Sequence, residues 1–91
     1  MTTVEQLLGI AYPILQGAMA NISTHKLVCP VSEAGGLGII GACGMSAEKL
    51  REEIRLTRAI TKKPFGVNRM RQMLNCDELV QVILDEGVAV V

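Results

Sequence analysis

Short apolar runs alternate along the chain with longer stretches of mixed polarity. The first segment, Thr2 to Leu8, carries two overlapping capping boxes, Thr2 with Glu5 and Thr3 with Gln6, and apolar Val4, Leu7 and Leu8 before Gly9. It predicts a short leading helix stopped by the glycine. Pro13-Ile14-Leu15-Gln16 is a brief apolar run closed by Gly17, and because proline is tolerated at the first position of a strand, it reads as strand one. Ser23 or Thr24 then caps a helix carrying Leu27, Val28, Val31 and Ala34 and ending at Gly35-Gly36. Pro30 falls inside it, and an interior proline costs about 3 kcal/mol, so a kink or early break is expected there.

Leu37-Gly38-Ile39-Ile40 is too short for a helix and reads as strand two, followed by the small-residue loop Gly41-Ala42-Cys43-Gly44. Ser46 caps the next helix, with Glu48 in its first turn, Leu50, Ile54 and Ile60 towards one side, and Glu48/Arg51 and Glu52/Arg55 as surface pairs. Strand three is Pro64 to Asn68. Asn75 with Glu78 opens a helix through Leu79, Val80, Ile83 and Leu84 to Gly87, and Val88 to Val91 is strand four. Strand starts at 14, 37, 64 and 88 lie 23, 27 and 24 residues apart, the length of a βα unit. Continuously apolar strands predict a parallel sheet covered on both faces, by helices or by the packed interior of a barrel. Strand four ends at the last residue, so its outward face and one edge are expected to lie uncovered.

Composition narrows the class. The 91 residues suit one compact unit or part of a larger one. Nine Lys+Arg balance nine Asp+Glu, without the basic excess that phosphate-backbone binding requires, so no nucleic-acid partner is expected. Hydrophobic residues make up 49% of the chain, yet Tyr12 and Phe65 are its only aromatics, so the core must be aliphatic. Cys29, Cys43 and Cys76 are odd in number and lack Cys-x-x-Cys spacing, which fits free thiols in a reducing cytosol. No apolar run approaches the roughly 20 residues that cross a bilayer, and the first residues lack a signal-peptide pattern. The expectation is a soluble cytoplasmic protein with no membrane partner.

In parallel α/β folds ligands sit at the carboxyl ends of the strands. The residues there are Gly17-Ala18-Met19, Gly41-Ala42-Cys43-Gly44 and Asn68. Small residues let a planar or anionic ligand approach the backbone and Asn68 offers both a donor and an acceptor; equally, these are simply tight loops. Gly36-Leu37-Gly38-Ile39-Ile40-Gly41 spells G-x-G-x-x-G, but the glycines bracket and interrupt the apolar run instead of opening a helix, so a dinucleotide turn is not expected. His25 reads as a solvated histidine at a helix start. Cys43 serves either packing or a ligand, and Arg69 and Arg71 either meet an anion or solvate a loop. No nucleophile and base pair, metal-ligand cluster or phosphate loop is found.

Three stretches, Tyr12 to Ala20, Val31 to Gly41 and Lys63 to Asn68, closely resemble the nitronate monooxygenase family, formerly called 2-nitropropane dioxygenases, which includes the flavin-dependent enoyl-acyl-carrier-protein reductase II enzymes. The resemblance runs from about Leu7 to Val91. It implies the first half of an FMN-binding (β/α)8 barrel over residues 1–91: four parallel strands, three connecting helices and the short leading helix. It also implies that Gly17, Ala18 and Met19 lie against the isoalloxazine ring, that Asn68 hydrogen-bonds the flavin, and that Gly41 borders the pocket. Ala18 stands where family members often carry glycine, and Pro30 and residues 69–72 depart from the usual small or apolar pattern. The family's phosphate-binding loops and catalytic histidine come from later strands, so His25 inherits no role and no catalytic residue is expected here. The implied activity is oxidation of a nitronate by oxygen on FMN; the alternatives are NAD(P)H-dependent reduction of an enoyl thioester, or a non-catalytic half-barrel that self-associates through its strand edges.

Overall fold

A computed structural model describes residues 2–69, 76–88 and 90–91. Of the two overlapping capping boxes, the one at Thr3 forms: its hydroxyl accepts from the Gln6 N–H at 3.2 Å and Gln6 Oε1 accepts from the Thr3 N–H at 3.1 Å, opening α1 (Val4–Leu8). Thr24 caps α2 (His25–Glu33). The helix runs through Pro30 to Glu33, against the expected early break. Pro30 lies on the exposed side of the helix, where water can meet the carbonyl that proline leaves unbonded.

Strands β1 (Gly38–Gly41) and β2 (Phe65–Asn68) pair in parallel, with Gly38 beside Phe65 and Gly41 beside Asn68. Strands one and four of the sequence reading shrink to single parallel bridges, Leu15 to Leu37 and Gly66 to Val90. Both pair with one neighbour only among the described residues, so each gains half the ladder of a central strand. The order across the sheet follows the chain: the Leu15 segment, β1, β2, the Val90 segment.

Ser46 caps α3 (Ala47–Ile60), and α4 spans Cys76–Glu86. Val28 of α2, Leu50 and Ile54 of α3 and Leu79, Val82 and Ile83 of α4 pack with Ile40, Ala42, Phe65 and Val67 as one core. Because side chains alternate along a strand, Ile39, Gly41, Gly66 and Asn68 point to the other face. Helices therefore cover one face of the sheet, and among the described residues no helix covers the second. Ile60 departs from the sequence reading: it is 59% exposed, and Thr57 takes the buried place beside Ile54, since six residues of helix turn Ile60 well away from the Leu50–Ile54 stripe. The arginines depart too. Arg51 and Arg55 reach across to Glu86 of α4 at 3.1 and 3.0 Å instead of pairing with Glu48 and Glu52. Asn75, the expected cap of α4, lies outside the described residues.

Gly38 shows why the glycine pattern is not a dinucleotide turn. A Cβ there would stand 2.4 Å from the Val28 carbonyl oxygen, so the glycine admits the backbone of α2 onto β1. The Gly38 N–H donates to the buried Ser32 hydroxyl at 3.1 Å, and no helix begins until Ala47.

Candidate functional site

The carboxyl ends of β1 and β2 lie side by side, and the backbone continues their pairing one step further: the Ala42 N–H donates to the Asn68 carbonyl at 3.0 Å. Asn68 is exposed and Gly41 buried. A Cβ on Gly41 would lie 2.9 Å from the carbonyl oxygen of Met19, so the Met19 backbone crosses directly over the end of β1. Met19, Gly41 and Asn68 thus meet at one end of the sheet. Gly17 and Ala18 approach that end along the same segment, with Gly17 exposed, Ala18 half-buried and open space around the Cβ position of Gly17.

Two residues to which the sequence reading gave no role at the strand ends, Gln16 and Ser23, hold this segment in place. The Leu15 bridge is flanked by Leu37 N–H to Ile14 O and Gln16 N–H to Leu37 O, both at 2.9 Å. Beyond it the backbone leaves the sheet and the Gln16 side chain takes over. Its Oε1 accepts from the Ile39 N–H at 2.9 Å, while its Nε2 donates to the Ser23 hydroxyl at 2.8 Å and to the Gly17 carbonyl. The Ser23 hydroxyl also accepts from the Met19 N–H at 2.8 Å, and the Ser23 carbonyl accepts from the Gly41 N–H at 3.0 Å. Among the described residues, no protein group accepts from the N–H of Gly17 or Ala18. The available signal was Gln16 itself, an amide closing an apolar run.

His25 is not the solvated residue that the sequence suggested. Its Nδ1 lies 2.6 Å from Glu53 Oε2, and its backbone N–H donates to the same oxygen at 3.0 Å. Lys49 Nζ lies 3.0 Å from the other carboxylate oxygen. Burial pushes the Glu53 carboxyl up, but hydrogen bonds from the His25 backbone and side chain and from Lys49 outweigh it, leaving the group below the usual carboxylate value. An ionised carboxylate only accepts, so Nδ1 of His25 carries the proton in this contact. The cluster ties the start of α2 to α3 beside a cleft of about 560 Å³ lined in part by Asn21, Ile22, Thr24 and Lys49. Cys43 is half-buried in the loop after β1 and Cys29 is buried; burial raises the Cys29 thiol above its ordinary value. Arg69 follows β2 and Arg71 lies outside the described residues. Among the described residues no helix is long and apolar enough to cross a membrane, and no cluster of side chains has the makings of a metal site.

The nitronate monooxygenase family model matches residues 1–86. The chain belongs to this family. It is 52% identical over 62 residues to the nitronate monooxygenase of Paraburkholderia phytofirmans, covering 68% of this chain and 17% of that protein. It is 35% identical over 89 residues to the (3aS,4S,5R,7aS)-5-hydroxy-7a-methyl-1-oxo-octahydro-1H-indene-4-carboxyl-CoA dehydrogenase of Mycobacterium tuberculosis, covering 98% of this chain and 25% of that protein. Among solved structures it superimposes on FabK of Thermotoga maritima with a TM-score of 0.92 and 48% identity, over 93% of this chain and 27% of that one. The chain therefore spans about a quarter or less of the length of these curated relatives.

Proposed function

We propose that residues 1–91 form the amino-terminal part of an FMN-binding (β/α)8 barrel, and that the complete enzyme oxidises a nitronate with oxygen. The observation that carries this reading is the meeting of Met19, Gly41 and Asn68 at one end of a parallel strand pair in a chain of the nitronate monooxygenase family. Helices on a single face of the sheet also suit a barrel wall, whose other face turns inward.

The residues present fit a flavin. Open space at Gly17 leaves the backbone of the 17–19 segment accessible to a flat ring, with Ala18 and Met19 adding short apolar contact. The exposed Asn68 amide at the neighbouring strand end supplies one donor and one acceptor suited to a heterocycle edge. Gly41 would border the same flavin site and, lacking a side chain, lets Met19 cross over it. When bound, FMN would take electrons from the substrate and pass them to oxygen; the residues of this chain bind and orient the ring.

A second reading, NAD(P)H-dependent reduction of an enoyl thioester on the same flavin, is favoured by the match across nearly the whole chain to a protein named for a carboxyl-CoA substrate. Oxygen uptake driven by a nitronate, compared with NAD(P)H oxidation driven by an enoyl thioester, separates the two in the flavin-loaded complete enzyme. Nitronate-driven uptake is the expected result; absence of both activities would reject both readings.

A further inference from the structure

We propose that Gln16 and Ser23 are a positioning pair that sets the Gly17–Met19 ledge at the strand ends, an inference that rests on the flavin reading only for what the ledge holds. The Ile39 N–H can only donate, so the atom of the Gln16 amide facing it at 2.9 Å must be the oxygen. That fixes the amide orientation and turns Nε2 towards the Ser23 hydroxyl, 2.8 Å away, and the Gly17 carbonyl. With Nε2 donating, the Ser23 hydroxyl also accepts the Met19 N–H at 2.8 Å.

The consequence is a side chain acting as a strand. Gln16 satisfies an N–H of β1 that a continuing backbone would otherwise have paired, which frees the backbone itself to turn out of the sheet at Gly17. Ser23 is 1% exposed and ties the turn to the strand it crosses: its hydroxyl holds Met19 and its carbonyl holds the Gly41 N–H at 3.0 Å. The Met19 backbone is therefore held over Gly41, while the N–H groups of Gly17 and Ala18, which have no protein acceptor among the described residues, stay available to a ligand acceptor. Neither Gln16 nor Ser23 needs to touch the ligand.

Gln16→Glu and Gln16→Leu together separate this role from simple packing. A carboxylate at position 16 still accepts from the Ile39 N–H, and the Ser23 hydroxyl can turn to donate to it while still accepting from the Met19 N–H, whereas a leucine side chain can take part in neither bond. Amide hydrogen exchange in the 91-residue chain, expressed as protection relative to each amide's intrinsic rate, reads the outcome without flavin. In Gln16→Leu, Ile39 should lose at least tenfold in protection, whereas Gln16→Glu should keep both Ile39 and Met19 protected. Ser23→Ala should expose Met19 and leave Ile39 protected. Thr57 and Val67, in α3 and β2, report whether a variant has unfolded. Unchanged Ile39 protection in Gln16→Leu, or unchanged Met19 protection in Ser23→Ala, would overturn the pair. Since no flavin is present, failure here leaves the flavin reading standing, and failure of flavin binding leaves the pair standing.

Discussion

At Gly41 a single hydrogen in place of a methyl decides whether Met19 can cross the strand end. Gly41→Ala places a Cβ 2.9 Å from a backbone oxygen that is itself bonded to the N–H groups of Ile22 and Ser23, so the loop cannot yield cheaply. A loss of about 1–3 kcal/mol is expected, the range for overpacking a tight site, read from the urea midpoint. Asn68 is the opposite case. Its side chain is exposed, so Asn68→Ala should leave stability alone but loosen FMN in the complete enzyme by about 1–2 kcal/mol, roughly five- to thirty-fold. An unchanged flavin dissociation constant would reject that assignment. The place of both residues at strand ends was legible in the sequence because such ends are marked locally, by an apolar run and the residue that closes it. Gln16 and Ser23 were not, since their partners Ile39 and Met19 are set by how the turn between them closes.

At the scale of elements the helix starts were legible and the helix faces less so. Thr3, Thr24 and Ser46 cap helices through bonds to residues two or three positions on, a range that sequence spacing covers. Glu53 reads as one more charge on a surface helix, yet it is 1% exposed because His25, 28 residues earlier, folds over it. Removing it leaves the His25 N–H and imidazole facing an empty buried space, so Glu53→Ala should cost about 2–4 kcal/mol. The sign of its pH dependence follows from the lowered carboxyl. The contribution is fully present above the ordinary carboxylate range, and it drains away as the pH falls through the lower folded-state value. Urea midpoints at neutral and acid pH should therefore converge between the wild type and Glu53→Gln as the pH drops; a gap that stays constant would show that the ionised carboxylate contributes nothing.

For the whole molecule, the sequential parallel order of strand segments was legible from the 23- to 27-residue spacing, while the reduction of the outer two to single bridges was not, because ladder length depends on neighbours beyond each segment. Ile14, Leu15, Met19 and Ile22 are each about half exposed or more, and the Leu15 edge offers unpaired backbone, so the 91 residues should associate with rising concentration. A concentration-independent monomer in sedimentation would oppose that. On the proposed reading, this chain supplies the ring-facing ledge of a flavin site whose phosphate anchor lies in later strands. Titrating FMN and following its fluorescence tests the claim directly, on the 91-residue chain and on the complete enzyme in parallel. Stoichiometric binding by the complete enzyme and none by the chain alone is the predicted result. Tight stoichiometric binding by the 91 residues would contradict it, because the site would then be complete within them.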